Sequence, residues 1–582
     1  MGNSNNSKLL SRSSLPRHTT GAELIAKTIQ GYGVSHVFFI EAVMRDCMVQ
    51  LEKAGVRRVL AHSEKSAAYM ADGYARVKKA PGVCLAQSVG AANLAAGLQD
   101  AYLGHSPVIA LTGKKPPSHQ HRNAYQEINH TPVFEPVTKF NVSLDDPEQL
   151  PRLLRQAFRE ATSGRPGPTH IDTIGVVGHI SDRHVFDSTV DRFVEKPYCQ
   201  VPPHRPLPEQ AAVEEAARLL AAAERPVLVC GGGAVASGAG AEIKRLAESQ
   251  MIPVAVTLNG KTTIPDGHPL KVGVVGSYSS RCANQLVCQA DLVVYVGSGT
   301  GDMSTNEWTV PKPGTPVIQI DIDPRELGRN YPNQVGLLGD ARQAVGLLNQ
   351  CLPASKGREQ WMRQARGLVD KWRSDTAPLR TSDEIPMRVE RLCQELSDWL
   401  PQDVVLVADT GFAGTWTGVM VDLKYPDQTY IRAAGSLGWA FPASLGAKCA
   451  APEQPVVCFT GDGGFWYHIA ELETAARCGI NTITVVNNNH GFGQCVETVE
   501  KAYIGYAGKK EEIFKFREID FVKIAEQTGC LGIRVESPDQ IAPALARGLA
   551  AEVPVVIDVQ TDLMCRPEAS WSPSETAPEA AE

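Results

Sequence analysis

The stretch from Gly461 to Gln494, GDGGFWYHIAELETAARCGINTITVVNNNHGFGQ, decides the fold of this chain. Just upstream, Val456 to Thr460 (VVCFT) is an apolar, β-leaning run that stops at Gly461-Asp462-Gly463-Gly464. Glycines in such a turn let backbone N–H groups approach an anion with no Cβ in the way, and Asp462 offers a hard oxygen ligand. Phe465 to Cys478 reads as a helix with Ile469, Leu472 and Ala476 on one face, and Ile483 to Val486 as a second strand ending in Asn487-Asn488-Asn489. Two parallel strands joined by a crossover helix bring a carboxylate and an amide to their C-terminal ends, where open α/β sheets bind ligands. Oxygen donors of this kind suit Mg²⁺, which bridges to a phosphate. Taken alone, GDG is equally compatible with an ordinary βαβ unit whose turn is rich in glycine.

Composition narrows the classes. A chain of 582 residues exceeds a single core and points to about three or four domains. Its 43% hydrophobic and 21% charged content are those of a soluble globular protein, and a net charge of −7 leaves no basic footprint for nucleic acid. The 14 cysteines form no C-x-x-C pair, which fits reduced, mostly buried thiols in a reducing, cytoplasmic setting. No apolar run of about 18 residues is present, so no membrane span is expected. Residues 1–19 read as a flexible tail without the apolar core of a signal peptide, and Met1-Gly2 is followed at position 6 by Asn rather than the Ser or Thr of a myristoylation site. Residues 571–582, ending SETAPEAAE, read as a second tail.

In a first domain, residues 20–190, Val59-Leu60-Ala61-His62-Ser63-Glu64 runs into the small-residue helix KSAAYMADGYAR. A carboxylate at the end of an apolar strand faces a poorly hydrated crevice, which disfavours its ionised form and makes Glu64 a candidate proton shuttle. A helix N-terminal Glu serving the dipole is the alternative. Gln87-Ser88-Val89-Gly90-Ala91-Ala92-Asn93 and Asn123-Ala124-Tyr125-Gln126-Glu127 follow.

With H-x-E-x-x-A-x-x-x-A-x-G-Y-A-R at Glu64, and GDG at Asp462 followed by Asn488, Asn489 and Gly493, the chain resembles thiamine diphosphate (ThDP) enzymes, most closely the acetolactate synthase-like ones. The resemblance implies that Glu64 hydrogen-bonds N1′ of the aminopyrimidine and so drives deprotonation of the thiazolium C2. It implies Asp462, the Asn489 side chain and the Gly491 carbonyl as Mg²⁺ ligands, with Gly463 and Gly464 at the diphosphate. Gln126 falls where the family's Phe-Gln-Glu reaches the partner subunit's active site, as a substrate-positioning side chain. One departure stands out. Relatives have a Pro-Gly turn after the first strand, where this chain has Phe39-Ile40-Glu41-Ala42-Val43. Glu41 there is a new acid/base, a determinant of substrate size, or a structural replacement.

A Pro-rich link, Val201 to Pro206, leads to a middle domain, residues 205–355. The strand Pro226–Cys230 runs into Gly231-Gly232-Gly233-Ala234-Val235-Ala236, a G-x-G-x-x-A dinucleotide fingerprint. The strand Ile252 to Thr257 ends without the acidic residue that holds an NAD ribose, which discounts an NAD dehydrogenase. The family resemblance instead implies FAD across Gly232, Gly233, Asp302, Asp321 and Asp340, with ADP or a CoA adenine as alternatives. An empty Rossmann-like domain is the plain structural alternative.

A charged helical linker, residues 356–384, precedes the third domain, residues 385–570. There Val404–Ala408 is a strand ending in Asp409-Thr410-Gly411, a turn placed to meet the diphosphate, with Phe412 and Ala413 where relatives carry a polar pair. Gly435-Ser436-Leu437-Gly438 resembles the family's G-[ST]-M-G segment: the Gly435 carbonyl is implied to accept from the 4′-amino group, and Leu437 to wedge the cofactor into its V shape. Cys495 to Phe521 is charged, carries few core signals and is a candidate lid.

The expectation is therefore an α/β protein of three doubly wound parallel-sheet domains, pyrimidine-binding, middle and diphosphate-binding, acting as a homodimer or homotetramer. The expected reaction is ThDP- and Mg²⁺-dependent decarboxylation of a 2-oxo acid with carboligation. The alternatives are a lyase or hydrolase of a 2-hydroxyketone, 1,2-diketone or acyl-CoA, and, in another class, a ThDP-binding regulatory subunit without turnover.

Overall fold

The computed structural model describes residues 10–12, 18–187, 193–354 and 357–573. Its first sheet comprises β1 (His36–Phe39), β2 (Arg57–Leu60), β3 (Gly82–Ala86), β4 (Val108–Lys114), β5 (Phe140–Ser143) and β6 (Thr169–Ile174), all parallel and ordered β2-β1-β3-β4-β6-β5. β3 and β4 are buried along their whole length, which is why they read as unbroken apolar runs rather than alternating ones. Helices α1 (Glu64–Lys78) and α2 (Gly90–Leu103) follow β2 and β3. Strand order reverses between β1 and β3, so a crevice opens beyond their C-terminal ends. Thr20 and Glu23 form a capping box at the start of the helix Gly21–Gly31.

The second sheet holds β7 (Pro226–Cys230), β8 (Val254–Val256), β9 (Lys271–Val274), β10 (Leu292–Val296), β11 (Val317–Asp321) and β12 (Asn333–Leu338) in the order β9-β8-β7-β10-β11-β12, the dinucleotide-fold arrangement. The short helix α3 (Gly232–Ser237) follows β7. Beyond β12, α4 (Glu359–Arg380) runs for 22 residues and buries Trp361 and Trp372.

The third sheet repeats the first. β13 (Val405–Ala408), β14 (Thr429–Arg432), β15 (Val456–Gly461), β16 (Ile483–Asn488), β17 (Leu531–Val535) and β18 (Val555–Gln560) are parallel and ordered β14-β13-β15-β16-β18-β17. Its helices include α5 (Phe412–Val419), α6 (Ala440–Ala450), α7 (Asp462–Trp466), α8 (Glu471–Cys478) and α9 (Val496–Ala502). The helix read from Phe465 to Cys478 is in fact two. α7 begins three residues earlier, at Asp462, and stops at Trp466, because His468 turns inward to meet Ser66 Oγ (2.8 Å) and the edge of Tyr69 (5.5 Å) on α1. In the candidate lid, Ile504 and Tyr506 stand exposed, whereas Phe514 is buried and residues 514–516 bond back to 490–492.

The outer sheets are joined at the crossing of α1 and α6. A Cβ on Gly73 would collide with the Ala443 carbonyl, and one on Gly446 with the Met70 carbonyl, so the two backbones touch only because both positions are glycine. Of the stretches read as tails, Leu10–Arg12 pairs with Phe193–Glu195, and His18–Thr20 with Val185–Asp187. Trp571 is buried, its carbonyl accepting from Asn284. Residues 1–9, including Met1-Gly2, 13–17 and 574–582 lie outside the described residues.

Candidate active site

Glu64 opens α1 behind its N-cap Ser63, whose side chain accepts from the Ser66 N–H. Asn93 Nδ2 donates to Glu64 Oε2 (3.2 Å), and Gly90 lies so close that a Cβ there would overlap Glu64 Oε1. Two residues before Gly90, Ser88 Oγ donates to the Gln126 carbonyl (2.6 Å). Gln126 takes a left-handed φ of 59°, and its Nε2 donates to the exposed Tyr125 hydroxyl. Glu64 and Gln126 are thus assembled at one end of the first sheet by the turn 87–90, with Asn93 as a partner of Glu64 that the sequence reading did not assign. Glu41 instead stands in solvent, paired with Arg45 (2.7 Å). Its neighbours Ala42 and Met44 hold φ of 75° and 42°, strained values for residues with a Cβ.

The other half lies at the switch point of the third sheet, between β13 and β15. Asp462 is 3% exposed, and burial pushes its carboxyl up to about 7, against the N–H groups of Gly463 and Gly491, which pull it down. Beside β16, Asn489 Oδ1 is sealed from solvent without a hydrogen-bond partner. The Asp462 carboxyl and the unpartnered Asn489 oxygen are hard oxygen donors of the kind that fit Mg²⁺. Gly463 and Gly464 owe their lack of a side chain to protein contacts: a Cβ on Gly463 would lie 2.5 Å from the Phe492 ring, and one on Gly464 2.6 Å from Asp409 Oδ2. Gly411 has φ 63° and ψ −144°, a conformation open to glycine alone.

In the turn Asp409-Thr410-Gly411 the Asp409 side chain is spent on the protein itself. Its carboxylate accepts from the Thr410 N–H, the Thr460 hydroxyl and the Gly438 N–H (2.8–3.1 Å), tying together two strand ends and the segment Gly435–Gly438. Asp100, from α2, accepts from the N–H groups of Ala434, Gly435 and Ser436 (2.9–3.2 Å). Arg76 pairs with both Asp100 and Asp72, donates to the Arg432 carbonyl and stacks 4.6 Å over Trp439, whose Nε1 donates to Asp72. Gly435 is exposed and open, the Ser436 hydroxyl meets Tyr69, and Leu437 is half-buried beside them. The loop is therefore held by the first sheet as much as by its own. An i,i+4 Asp–Arg pair on an otherwise apolar helix was the available sequence signal.

Burial also raises the Asp409 carboxyl, to about 7 from its ordinary 3.8. The ligand-free fold then keeps a proton that the unfolded chain has released, so this stabilisation is whole below about pH 3.8 and is lost as pH rises through about 7. Melting of the ligand-free protein is expected to fall between pH 5 and 8, with a slope of at most about 1.4 kcal/mol per pH unit from this group. Asp409→Asn should shallow that slope; equal slopes in the two proteins would show Asp409 ionised throughout.

Between the second sheet and its neighbours lies a cavity of about 380 Å³ at the switch point of β7 and β10. Gly232, Gly233, Asp321 and Asp340 line it; Asp302 does not, its carboxylate capping the Met303 N–H in an exposed turn. Asp340 is occupied by Arg205, Ser237 and the Gln343 N–H. The triple glycine has a packing cause, since Cβ atoms at Gly231 and Gly233 would strike Gly297.

The flanks of the two halves meet within the chain, where the His62 N–H donates to Glu471 Oε1 (2.9 Å) and Ser66 Oγ meets His468 Nδ1 (2.8 Å). Three family models match in order: the thiamine pyrophosphate enzyme N-terminal binding domain over residues 19–133, the central domain over 213–348, and the C-terminal binding domain over 409–559. The chain is 33% identical over 558 residues to a probable acetolactate synthase large subunit of Methanocaldococcus jannaschii, covering 93% of this chain and 92% of the relative. It is 32% identical to the acetolactate synthase large subunit of Corynebacterium glutamicum, covering 94% and 87%, and 30% identical to the glyoxylate carboligase of Escherichia coli O157:H7, covering 87% and 86%. With the three sheets in this order and relatives of this kind along most of its length, the chain belongs to the ThDP-dependent enzymes, as a catalytic member of their acetolactate synthase-like branch.

Proposed function

We propose that the protein decarboxylates a 2-oxo acid and joins the resulting acyl-carbanion fragment to a second carbonyl compound, with Mg²⁺ and ThDP bound between two copies of the chain. The observation that carries the cofactor reading is the desolvated Asp462 carboxyl and the orphaned Asn489 Oδ1 just past the ends of the paired strands β15 and β16. Asp462, Asn489 and the Gly491 carbonyl would hold the cation, and the N-terminal end of α7 the diphosphate. ThDP, when bound, supplies the electron sink for breaking and making a carbon–carbon bond next to a carbonyl. Glu64 holds and returns a proton at the pyrimidine ring, with Asn93 fixing its carboxylate. Asp100 and Asp409 fix the loop whose Gly435 carbonyl and Leu437 side chain would contact the cofactor, and Gln126 would orient the substrate. The resemblance to ThDP enzymes supports a homodimer, or a homotetramer built from two, in which a partner copy completes each site. In the middle cavity we place FAD or another nucleotide.

The relatives' names, acetolactate synthase and glyoxylate carboligase, support glyoxylate or another small 2-oxo acid as the donor. The turn through Ala42 and Met44, which follows the end of β1 without the Pro-Gly of relatives, supports a second reading, a lyase or hydrolase of a 2-hydroxyketone, 1,2-diketone or acyl-CoA. Turnover of 2-oxo acids against a hydroxyketone and acyl-CoA panel, with ThDP and Mg²⁺, separates the two. Product carboligated from a 2-oxo acid and lost on chelation of Mg²⁺ is the expected result; turnover confined to the other substrates would establish the second reading.

A further inference from the structure

Arg432 ends β14, immediately before the loop that Asp100 and Asp409 hold, and its side chain forms part of the wall of the middle cavity. Its backbone is fixed: the carbonyl accepts from Arg76, and the next residue's N–H bonds to Ala408. The guanidinium is not. Nε is sealed from solvent without a hydrogen-bond partner, and among the described residues no carboxylate pairs with it. The nearby Asp100 is committed to Arg76 and to three backbone N–H groups. Of the other cations lining the cavity, Arg76 is engaged by Asp72 and Asp100 and Arg165 by Glu326 (2.6 Å), while the exposed Lys79 reaches only the Val235 carbonyl (3.4 Å). Burial lowers the Arg432 pKa, partly offset by Tyr430 and Asp100.

A half-buried guanidinium with no carboxylate paired to it gains from a ligand that supplies the charge. Here the ligand space is present, since the cavity lies at a topological switch point and runs from Arg432 past the glycine turns to Asp321. Leu258, Val275, Ile320 and Ile322 give it an apolar wall suited to a flat base, whereas Arg432 gives its end on the third-sheet side a free positive charge.

We propose that Arg432 is the anion anchor of this cavity, binding the phosphates of a nucleoside diphosphate group, so that the nucleotide bridges the middle domain to the loop Ala433–Gly438. The inference rests on the nucleotide reading of the cavity and adds to it a residue from another domain. Arg–phosphate pairs are strong because the guanidinium fork matches two oxygens at once. A filled cavity would also stiffen the strand end from which the cofactor loop departs.

The test is calorimetric titration of full-length protein saturated with ThDP and Mg²⁺, which keeps the diphosphate site on α7 occupied, using ADP, FAD, adenosine and inorganic pyrophosphate. Wild type is expected to bind ADP or FAD at least about 10-fold more tightly than adenosine, and Arg432→Gln to lose about 10- to 100-fold for the diphosphates while holding adenosine unchanged. The FAD and ADP arms show which source carries the diphosphate. Wild type that binds pyrophosphate as well as it binds either nucleotide overturns the nucleotide part of the proposal. Ligand-free Arg432→Gln should melt no lower than wild type, because it removes an unpartnered charge; a marked drop would mark Arg432 as structural and overturn the proposal. Unchanged ADP and FAD affinity in a folded Arg432→Gln overturns the Arg432 assignment and leaves the cavity reading standing. Wild type that binds none of the nucleotides or adenosine overturns both.

Discussion

Glu64→Gln is expected to lower turnover by about 10²- to 10⁴-fold, the range for loss of a general acid/base, while melting stays within about 0.5 kcal/mol of wild type. The replacement is isosteric, and the Gln oxygen still accepts from Asn93 Nδ2, so the turn at Gly90 keeps its shape. Only proton exchange is lost. Steady-state rates and thermal melts of the same preparation check the two halves of the statement, and ThDP binding followed by tryptophan fluorescence should change far less than kcat. Undiminished turnover would remove Glu64 from the mechanism and leave it as a helix N-terminal carboxylate. Gly90→Ala probes the same contact independently. Its Cβ would displace the carboxylate without removing it, so a comparable loss of rate would tie catalysis to position as well as to chemistry.

Much of this arrangement was legible in the chain because the site sits at strand ends, where glycine, carboxylate and amide residues interrupt apolar runs. Asp462, Asn489 and Glu64 stand out for that reason, and each occupies the C-terminal end of a parallel strand or opens the helix that follows it. What could not be read is the wiring between sheets. Asp100 lies on α2 in a stretch of small residues, and nothing local says that three N–H groups more than 300 positions away end on it. Asp409 was visible as a turn residue, yet its task of joining β13, β15 and the Gly438 loop depends on tertiary placement. The glycines teach a related lesson. Those at 73, 231, 233 and 446 are required by backbone-to-backbone contact, so a motif rich in glycine reports close packing before it reports a ligand. Helix propensity likewise ran through Tyr467–Ala470, where contact between His468 and α1 ended it.

Arg76→Met carries the other large effect, and it separates packing from charge. Arg76 is buried with Asp72 and Asp100, both fully buried, and removing it strands two carboxylates in a dry interior. Breaking one member of such a cluster costs about 3–5 kcal/mol, which for a domain of this size lowers the melting point by roughly 10 °C. The Arg432 carbonyl and the face of Trp439 lose their partner in the same step, so the loop Ala434–Ser436 loosens and turnover should fall together with stability. The triple variant Arg76→Met, Asp72→Asn, Asp100→Asn makes the distinction. It removes all three charges at nearly constant volume, and neutralising a buried cluster as a whole is often harmless to stability, so melting is expected to recover most of the way. Turnover is not expected to recover with it, because a neutral amide at position 100 accepts through a single oxygen where the Asp100 carboxylate receives Ala434, Gly435 and Ser436 through two. Recovery of both would make the cluster a matter of folding alone, whereas recovery of neither would mean that its geometry, rather than its charge balance, holds the two outer sheets in register.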